Sequence, residues 1–137
     1  DEGHDLMEGA MELVQTLAPL YELYIVTNGT TETQYKPLGD SGLSPYVKDI
    51  CISGKIGSRK PMKAFFDHCF EKAPHLSPAD VLIIGDSLSS DILGGNNAGI
   101  DACWMNAENK INDTTAVPTY EIHKLAELYD ILGIPKK

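Results

Sequence analysis

The 137-residue sequence carries 42% apolar and 23% charged residues and a formal charge of −9, a composition that fits one globular domain with a sizeable core. No apolar run approaches the roughly 18–20 residues needed to span a bilayer, which argues against a membrane protein. No stretch concentrates Lys and Arg, which argues against a duplex nucleic-acid binder but not against a small phosphorylated substrate.

The acidic start, Asp1-Glu2-Gly3-His4-Asp5, is unlike a signal peptide. Cys51, Cys69 and Cys103 form no Cys-x-x-Cys pair and leave an odd count. Cys51 and Cys103 fall in apolar strand-like runs where buried free thiols are common, so a reduced, cytoplasmic protein is expected. His4, His68, His75 and His123 are scattered without metal-ligand spacing.

In chain order, Leu6, Ala10, Leu13, Val14 and Leu17 make a helical stripe over residues 6–17, stopped by Pro19. Leu23-Tyr24-Ile25-Val26 reads as a buried strand that ends at Thr27-Asn28-Gly29. A kinked helix is expected over 31–41, because Pro37 and Gly39 interrupt it. Residues 49–53 read as a second strand. A helix over 62–72 follows, with Phe65, Phe66, Cys69 and Phe70 as its apolar members. Val81-Leu82-Ile83-Ile84 is a continuous apolar run suited to burial on both sheet faces. A helix over 89–98 is capped by Gly99, a fourth strand covers 102–105, and a closing helix is expected over 122–132. By composition, the Asn- and Thr-rich stretch 106–118 is the least ordered loop. Strands alternating with helices indicate an α/β fold, a parallel sheet flanked by helices on both sides.

In such folds ligands gather at the carboxyl ends of the strands. Thr27-Asn28-Gly29 offers a hydroxyl, an amide and backbone N–H groups, a phosphate cradle or simply an Asn-Gly turn. Lys60, ahead of Pro61, is a fixed ammonium for phosphate charge or a solvated Lys before a helix, with Pro61 suited to the first helical position. Asp86 emerges directly from a buried strand, and Asp91 follows five residues on at the start of the next helix. The two carboxylates are hard ligands for Mg²⁺ or helix-capping charges. Taken together, the three segments supply complementary parts of one site.

This ordered set resembles motifs two, three and four of the haloacid dehalogenase (HAD) phosphatases. Thr27-Asn28 matches the second motif, Lys60 with Pro61 the third, and Gly85-Asp86 through Asp91 the fourth. The resemblance spans nearly the whole chain, so residues 1–137 are expected to form one HAD-like, Rossmann-like core. Ser90-Asp91-Ile92-Leu93-Gly94-Gly95, Asn97-Ala98-Gly99 and Cys103-Trp104-Met105-Asn106 further resemble the pyrimidine 5′-nucleotidases that also act on noncanonical nucleotides. The resemblance implies a Mg²⁺-dependent phosphate monoester hydrolase acting through an aspartyl-phosphate, with a nucleoside monophosphate as the suggested substrate. It further implies that Thr27, Asn28 and Gly29 bind the phosphate. Lys60 would hold the phosphate and the charge of the nucleophile. Asp86 would ligate Mg²⁺, and Asp91 would hold a metal-bound water or Lys60.

The sequence departs from that pattern in one large respect. The family's first motif, Asp-x-Asp-x-Thr, which supplies the nucleophile and the general acid/base, does not occur in these 137 residues, and neither does the helical cap that follows it. Smaller departures are Pro37 and Gly39 in a helix, and Gly54-Lys55 where acidic residues are usual. The motif-bearing strand normally sits between the strands ending at Val26 and Ile84, so two unpaired inner edges are expected. Those edges must pair directly, borrow a strand from a missing N-terminal segment, or be completed by a second copy. The chain is therefore expected to be an incomplete core without turnover of its own. The competing function is a non-catalytic binding or regulatory module that kept the fold. A phosphoacceptor receiver domain fits worse, because its Lys-Pro should follow the acceptor Asp and the Thr, whereas Lys60 precedes Asp86.

Overall fold

The computed structural model describes residues 9–27, 44–52, 57 and 59–134. Its elements are α1 (Ala10–Leu17), β1 (Tyr24–Thr27), β2 (Asp49–Ile52), α2 (Lys63–Glu71), β3 (Leu82–Gly85), α3 (Leu93–Ala98), β4 (Asp101–Met105), β5 (Tyr120–Ile122) and α4 (Glu127–Leu132). One π-turn, Leu88–Ile92, leads into α3. All strand pairs are parallel, as the alternation of strands and helices predicts. The helix expected over 31–41 lies outside the described residues, as do Asn28 and Gly29. Among the described residues no helix is long and apolar enough to cross a membrane.

The sheet is divided. β1 pairs with β2, with Val26 opposite Cys51, and separately β4 lies between β3 and β5. Direct pairing of β1 with β3, one of the three ways of closing the expected gap, does not occur among the described residues. Between them runs a groove of about 920 Å³ whose walls include Tyr24, Ile25 and Val26 from β1 and Leu82, Ile83 and Ile84 from β3. Ile84, expected to be buried on both faces, is 39% exposed because its side of the sheet opens on this groove.

Alternation along β4 builds the layers. Ala102 and Trp104 point to a core with Phe65 and Phe66 of α2, Ile83 and Ile92. Cys103 and Met105 point to the opposite core with Leu13 and Leu17 of α1, Ile122, Leu128 and Tyr129. This period of two across a sheet, against helices on both faces, is the three-layer arrangement the sequence pattern calls for. Two glycines let the layers close. A Cβ on Gly94 would lie 2.7 Å from the Phe66 ring, and one on Gly95 would lie 2.9 Å from the Ile83 side chain.

Two expectations are corrected. The closing helix predicted over 122–132 begins only at Glu127, and Ile122 instead ends β5, paired with Met105. Ile122, Leu125, Ala126, Leu128 and Tyr129 mimic a helical stripe, but the backbone of Ile122 is needed to extend the sheet. The turn between strand and helix is held by Glu127, whose carboxylate accepts from the N–H groups of His123 (2.6 Å) and Lys124 (2.8 Å). Those two donors hold its carboxyl below the usual range. The stretch 106–118 is likewise tied down by the side chains that suggested disorder. Asn106 bonds Lys110 through both its oxygen and its nitrogen, each at 2.9 Å, and the Asn112 nitrogen donates to the Ala116 carbonyl at 2.7 Å.

Candidate active site

The groove ends in a polar mouth where Lys60, Asp86 and Asp91 line one wall or another. Lys60 reaches this place from the turn ahead of α2. Pro61 does not occupy the first helical position; Met62 is the N-cap and Lys63 opens the helix. The Met62 N–H closes the turn on the Arg59 carbonyl (2.9 Å), and the Lys60–Pro61 peptide is cis. Asn97 of α3 donates to the Pro61 carbonyl at 2.9 Å and pins the turn against the helix layer.

From there the Lys60 ammonium runs inward and is only 8% exposed as a residue. It donates to Asp91 Oδ1 at 2.5 Å and to the Val26 carbonyl at 3.2 Å. Val26 immediately precedes Thr27, the last residue of β1, so the ammonium is fixed one residue from the segment Thr27-Asn28-Gly29. The structure therefore brings the β1 terminus, Lys60 and Asp91 together. The side chain of Thr27, with Asn28 and Gly29, lies outside the described residues.

Asp91 owes its position to the π-turn. The Asp91 and Ile92 N–H groups both bond the Ser87 carbonyl, at 2.9 and 3.1 Å, and Ser87 Oγ accepts from Ser90 N at 3.2 Å. With its backbone held so, Asp91 turns back under β3 and its second oxygen accepts from Ser87 N at 3.4 Å. Both oxygens are thus committed, one to Lys60 and one to the backbone. Only a glycine at the end of β3 permits this: a Cβ on Gly85 would lie 2.2 Å from Asp91 Oδ2 and 2.5 Å from its Cβ. Gly85, quoted above within the fourth motif, is thus a packing requirement of the candidate site, which its flanking sequence alone does not reveal.

Asp86 behaves differently. It is exposed, and among the described residues its carboxylate takes part in no hydrogen bond or ion pair, while its main-chain carbonyl accepts from Trp104 Nε1 at 3.3 Å. Gly85 is paired in register with Trp104, which is how the indole comes to lie beside the next residue. A cavity of about 150 Å³ opens here, lined by Asp86, Trp104, Asn106, Glu108 and Lys110 among others. The donor set suits Mg²⁺ in kind: a hard carboxylate without a partner among the described residues, open to water, and a second carboxylate that is held in place at the same groove mouth. Among the described residues no cluster of three or more His, Cys, Asp or Glu side chains is arranged for a metal. Mg²⁺ keeps several waters and takes few protein ligands, so that absence is compatible with it.

The family model for haloacid dehalogenase-like hydrolases matches residues 1–105. The HAD-hydrolase YfnB of Bacillus subtilis is 54% identical over 98% of the chain, which corresponds to 57% of YfnB. The pyrimidine 5′-nucleotidase PynA of Streptococcus pneumoniae is 41% identical over 92% of the chain and 54% of PynA. A magnesium-bound crystal structure of YfnB superposes with a TM-score of 0.93 over 97% of this chain and 58% of that one. The chain thus spans little more than half the length of the relatives it matches. It belongs to the family of haloacid dehalogenase-like hydrolases.

Proposed function

We propose that the chain is the larger part of the catalytic core of a Mg²⁺-dependent phosphate monoester hydrolase, with a nucleoside monophosphate as its substrate. The observation that carries the reading is the Lys60 ammonium, buried at the mouth of the groove between Val26 and Asp91, with the exposed Asp86 carboxylate lining the same groove. A phosphate at this mouth would meet one fixed cation and the main-chain end of β1. The nucleotide reading is supported by PynA and by the pyrimidine 5′-nucleotidase YjjG of Escherichia coli, 36% identical over 92% of the chain.

Each residue has a defined task in this reading. Thr27, Asn28 and Gly29 bind phosphate oxygens through hydroxyl, amide and main-chain N–H groups. Lys60 neutralises phosphate charge and the charge that develops in transfer, and Asp91 keeps its ammonium aimed and gives it no freedom to swing out. Asp86, backed by Asp91, would hold the cation. When bound, Mg²⁺ would add positive charge against the phosphate. The phosphoryl acceptor is a carboxylate on an extended segment seated in the groove between β1 and β3. An upstream Asp-x-Asp-x-Thr would provide both that strand and the nucleophile, giving an aspartyl-phosphate. The chain by itself would then bind phosphate weakly and turn nothing over.

The deciding experiment is hydrolysis of p-nitrophenyl phosphate with Mg²⁺, comparing this chain with the same chain extended upstream through an Asp-x-Asp-x-Thr segment. Activity only in the extended protein, lost on Asp86→Asn, supports the reading. An extended protein inactive across phosphate esters would favour a non-catalytic module, and robust turnover by this chain alone would overturn the assignment of the nucleophile.

A further inference from the structure

The peptide unit that joins Asp86 to Ser87 is held on both sides. Its carbonyl accepts from Trp104 Nε1 at 3.3 Å, and its N–H donates to Asp91 Oδ2 at 3.4 Å. The C=O and N–H of a trans peptide point in opposite directions within one plane, so two such partners fix the rotation of that plane. That rotation governs how the Asp86 side chain leaves the end of β3.

The strand register explains why the indole can reach this peptide. Trp104 stands opposite Gly85 in the parallel pair, so its side chain falls on the face where Gly85 has none. The same face takes Asp91, since a Cβ on Gly85 would lie 2.5 Å from Asp91 Cβ. The glycine thus leaves room under the end of β3 for both the indole and the carboxylate. The indole is a rigid donor, 3% exposed and packed with Phe65, Phe66, Ile83 and Ile92. A buried indole N–H without an acceptor is costly, and Asp86 supplies the acceptor. Asp91 is itself held by Lys60. Asp86 is therefore fixed through its main chain, while its side chain, exposed at the wall of the small cavity, stays open.

We propose that Trp104 is a positioning residue for the candidate cation site: with Asp91 it clamps the 86–87 peptide and so aims the Asp86 carboxylate. The inference rests on the reading of Asp86 as the cation ligand. A ligand aimed in advance loses less freedom when a cation arrives, which raises affinity without any contact between indole and cation. The role belongs to the N–H group alone, because the rest of the ring serves the core.

The test removes that N–H and keeps the ring. Cys103 stands immediately before Trp104, so residues 1–102 as a thioester can be ligated to a synthetic peptide 103–137. The peptide carries benzothienylalanine at position 104, with sulfur in place of the N–H. Mn²⁺, which takes the same oxygen ligands as Mg²⁺, is titrated by EPR into this chain and into the natural sequence ligated in the same way. Asp86→Asn and Phe66→Leu chains are titrated beside them. Affinity is expected to fall about tenfold in the benzothiophene chain, the lower end of the range for losing a group that orients a metal ligand. Phe66→Leu disturbs the same core and keeps the N–H, so it should lower the urea midpoint and leave the affinity unchanged. In the natural chain the single indole N–H resonance should exchange slowly with solvent before any cation is added.

Equal affinity in the benzothiophene and natural chains, with binding lost in Asp86→Asn, would overturn the positioning role and leave the cation site standing. So would an indole N–H that exchanges freely. A fall in Phe66→Leu as large as in the benzothiophene chain would reduce Trp104 to a core residue. No binding by the natural chain, or binding that survives in Asp86→Asn, would remove the cation site and the positioning role together.

Discussion

Lys60 and Asp91 form a buried ion pair at 2.5 Å, with side chains only 9% and 11% exposed. Thirty-one residues separate them in sequence, and the pair holds the turn before α2 to the π-turn after β3. Burial makes the pair asymmetric in its effects: removing one partner strands the other charge in a poorly solvated place, and this costs more than the intact pair contributes. Asp91→Ala is therefore expected to lower stability by about 3–5 kcal/mol, whereas Lys60→Met with Asp91→Leu should recover most of that loss. Urea unfolding of the three chains checks it. A double variant as unstable as Asp91→Ala would show that packing of the turn, not the uncompensated ammonium, sets the loss.

Gly85 bears on the same pair. The Cβ of an alanine there would meet not a flexible tip but the Asp91 carboxylate at 2.2 Å and its Cβ at 2.5 Å, so the π-turn itself must shift. Gly85→Ala is expected to cost roughly 1–3 kcal/mol, the usual range for overpacking, and to shift Asp91 off Lys60. Because the cost lies in one contact, it should shrink in an Asp91→Gly background. Equal costs in both backgrounds, measured by denaturant unfolding, would place the strain elsewhere.

β1 to β4 were legible because each contains an apolar run with its end marked by a polar or glycine residue, as in Val81-Leu82-Ile83-Ile84-Gly85. Asp86 stood out as a candidate because it follows a buried strand, Lys60 because it sits just ahead of Pro61 and a helix, and Asp91 because it lies five residues on at the start of the next helix. What was hidden depends on contacts distant in sequence. Nothing near Trp104 says that its indole bonds Asp86, since that follows from the β3–β4 register. Gly85 reads as the end of a strand until Asp91 is found folded beneath it. Ile122 was misread because three residues are too few to display a strand's alternation beside a genuine helical stripe. The Asn-rich stretch 106–118 looked loose because composition cannot show whether an amide bonds water or, as Asn106 does, its own turn.

Trp104 offers a direct reading of cation binding. It is the single tryptophan of the chain, it is 3% exposed, and its indole N–H is bonded to the residue whose carboxylate is open to solvent. Charge gathered at Asp86 should alter the indole environment, so Mg²⁺ titration is expected to give a saturable change in tryptophan fluorescence. Asp86→Asn keeps the shape and removes the charge, and should abolish the change, while Ca²⁺ should compete only where larger coordination numbers fit. A response that survives in Asp86→Asn would mean that the cation binds at another place.

The groove makes a separate prediction about the backbone. Among the described residues β4 is bonded on both sides, by β3 and β5, whereas β1 and β3 each have a strand on one side only. Parallel strands alternate their N–H groups between neighbours, so part of the amides of Tyr24, Ile25, Val26, Leu82, Ile83 and Ile84 must rely on water in the groove. In this chain those inner-edge amides are expected to exchange with solvent much faster than the amides of Ala102, Cys103 and Trp104. In the protein extended upstream through Asp-x-Asp-x-Thr, a strand seated in the groove should bring β1 and β3 to the protection of β4. Equal protection in the unextended chain, with a sedimentation mass of two chains, would mean that a second copy supplies the strand. Equal protection in a monomer would mean that the two sheets close on each other in solution, and the groove would then not be the seat of the strand proposed to carry the nucleophile.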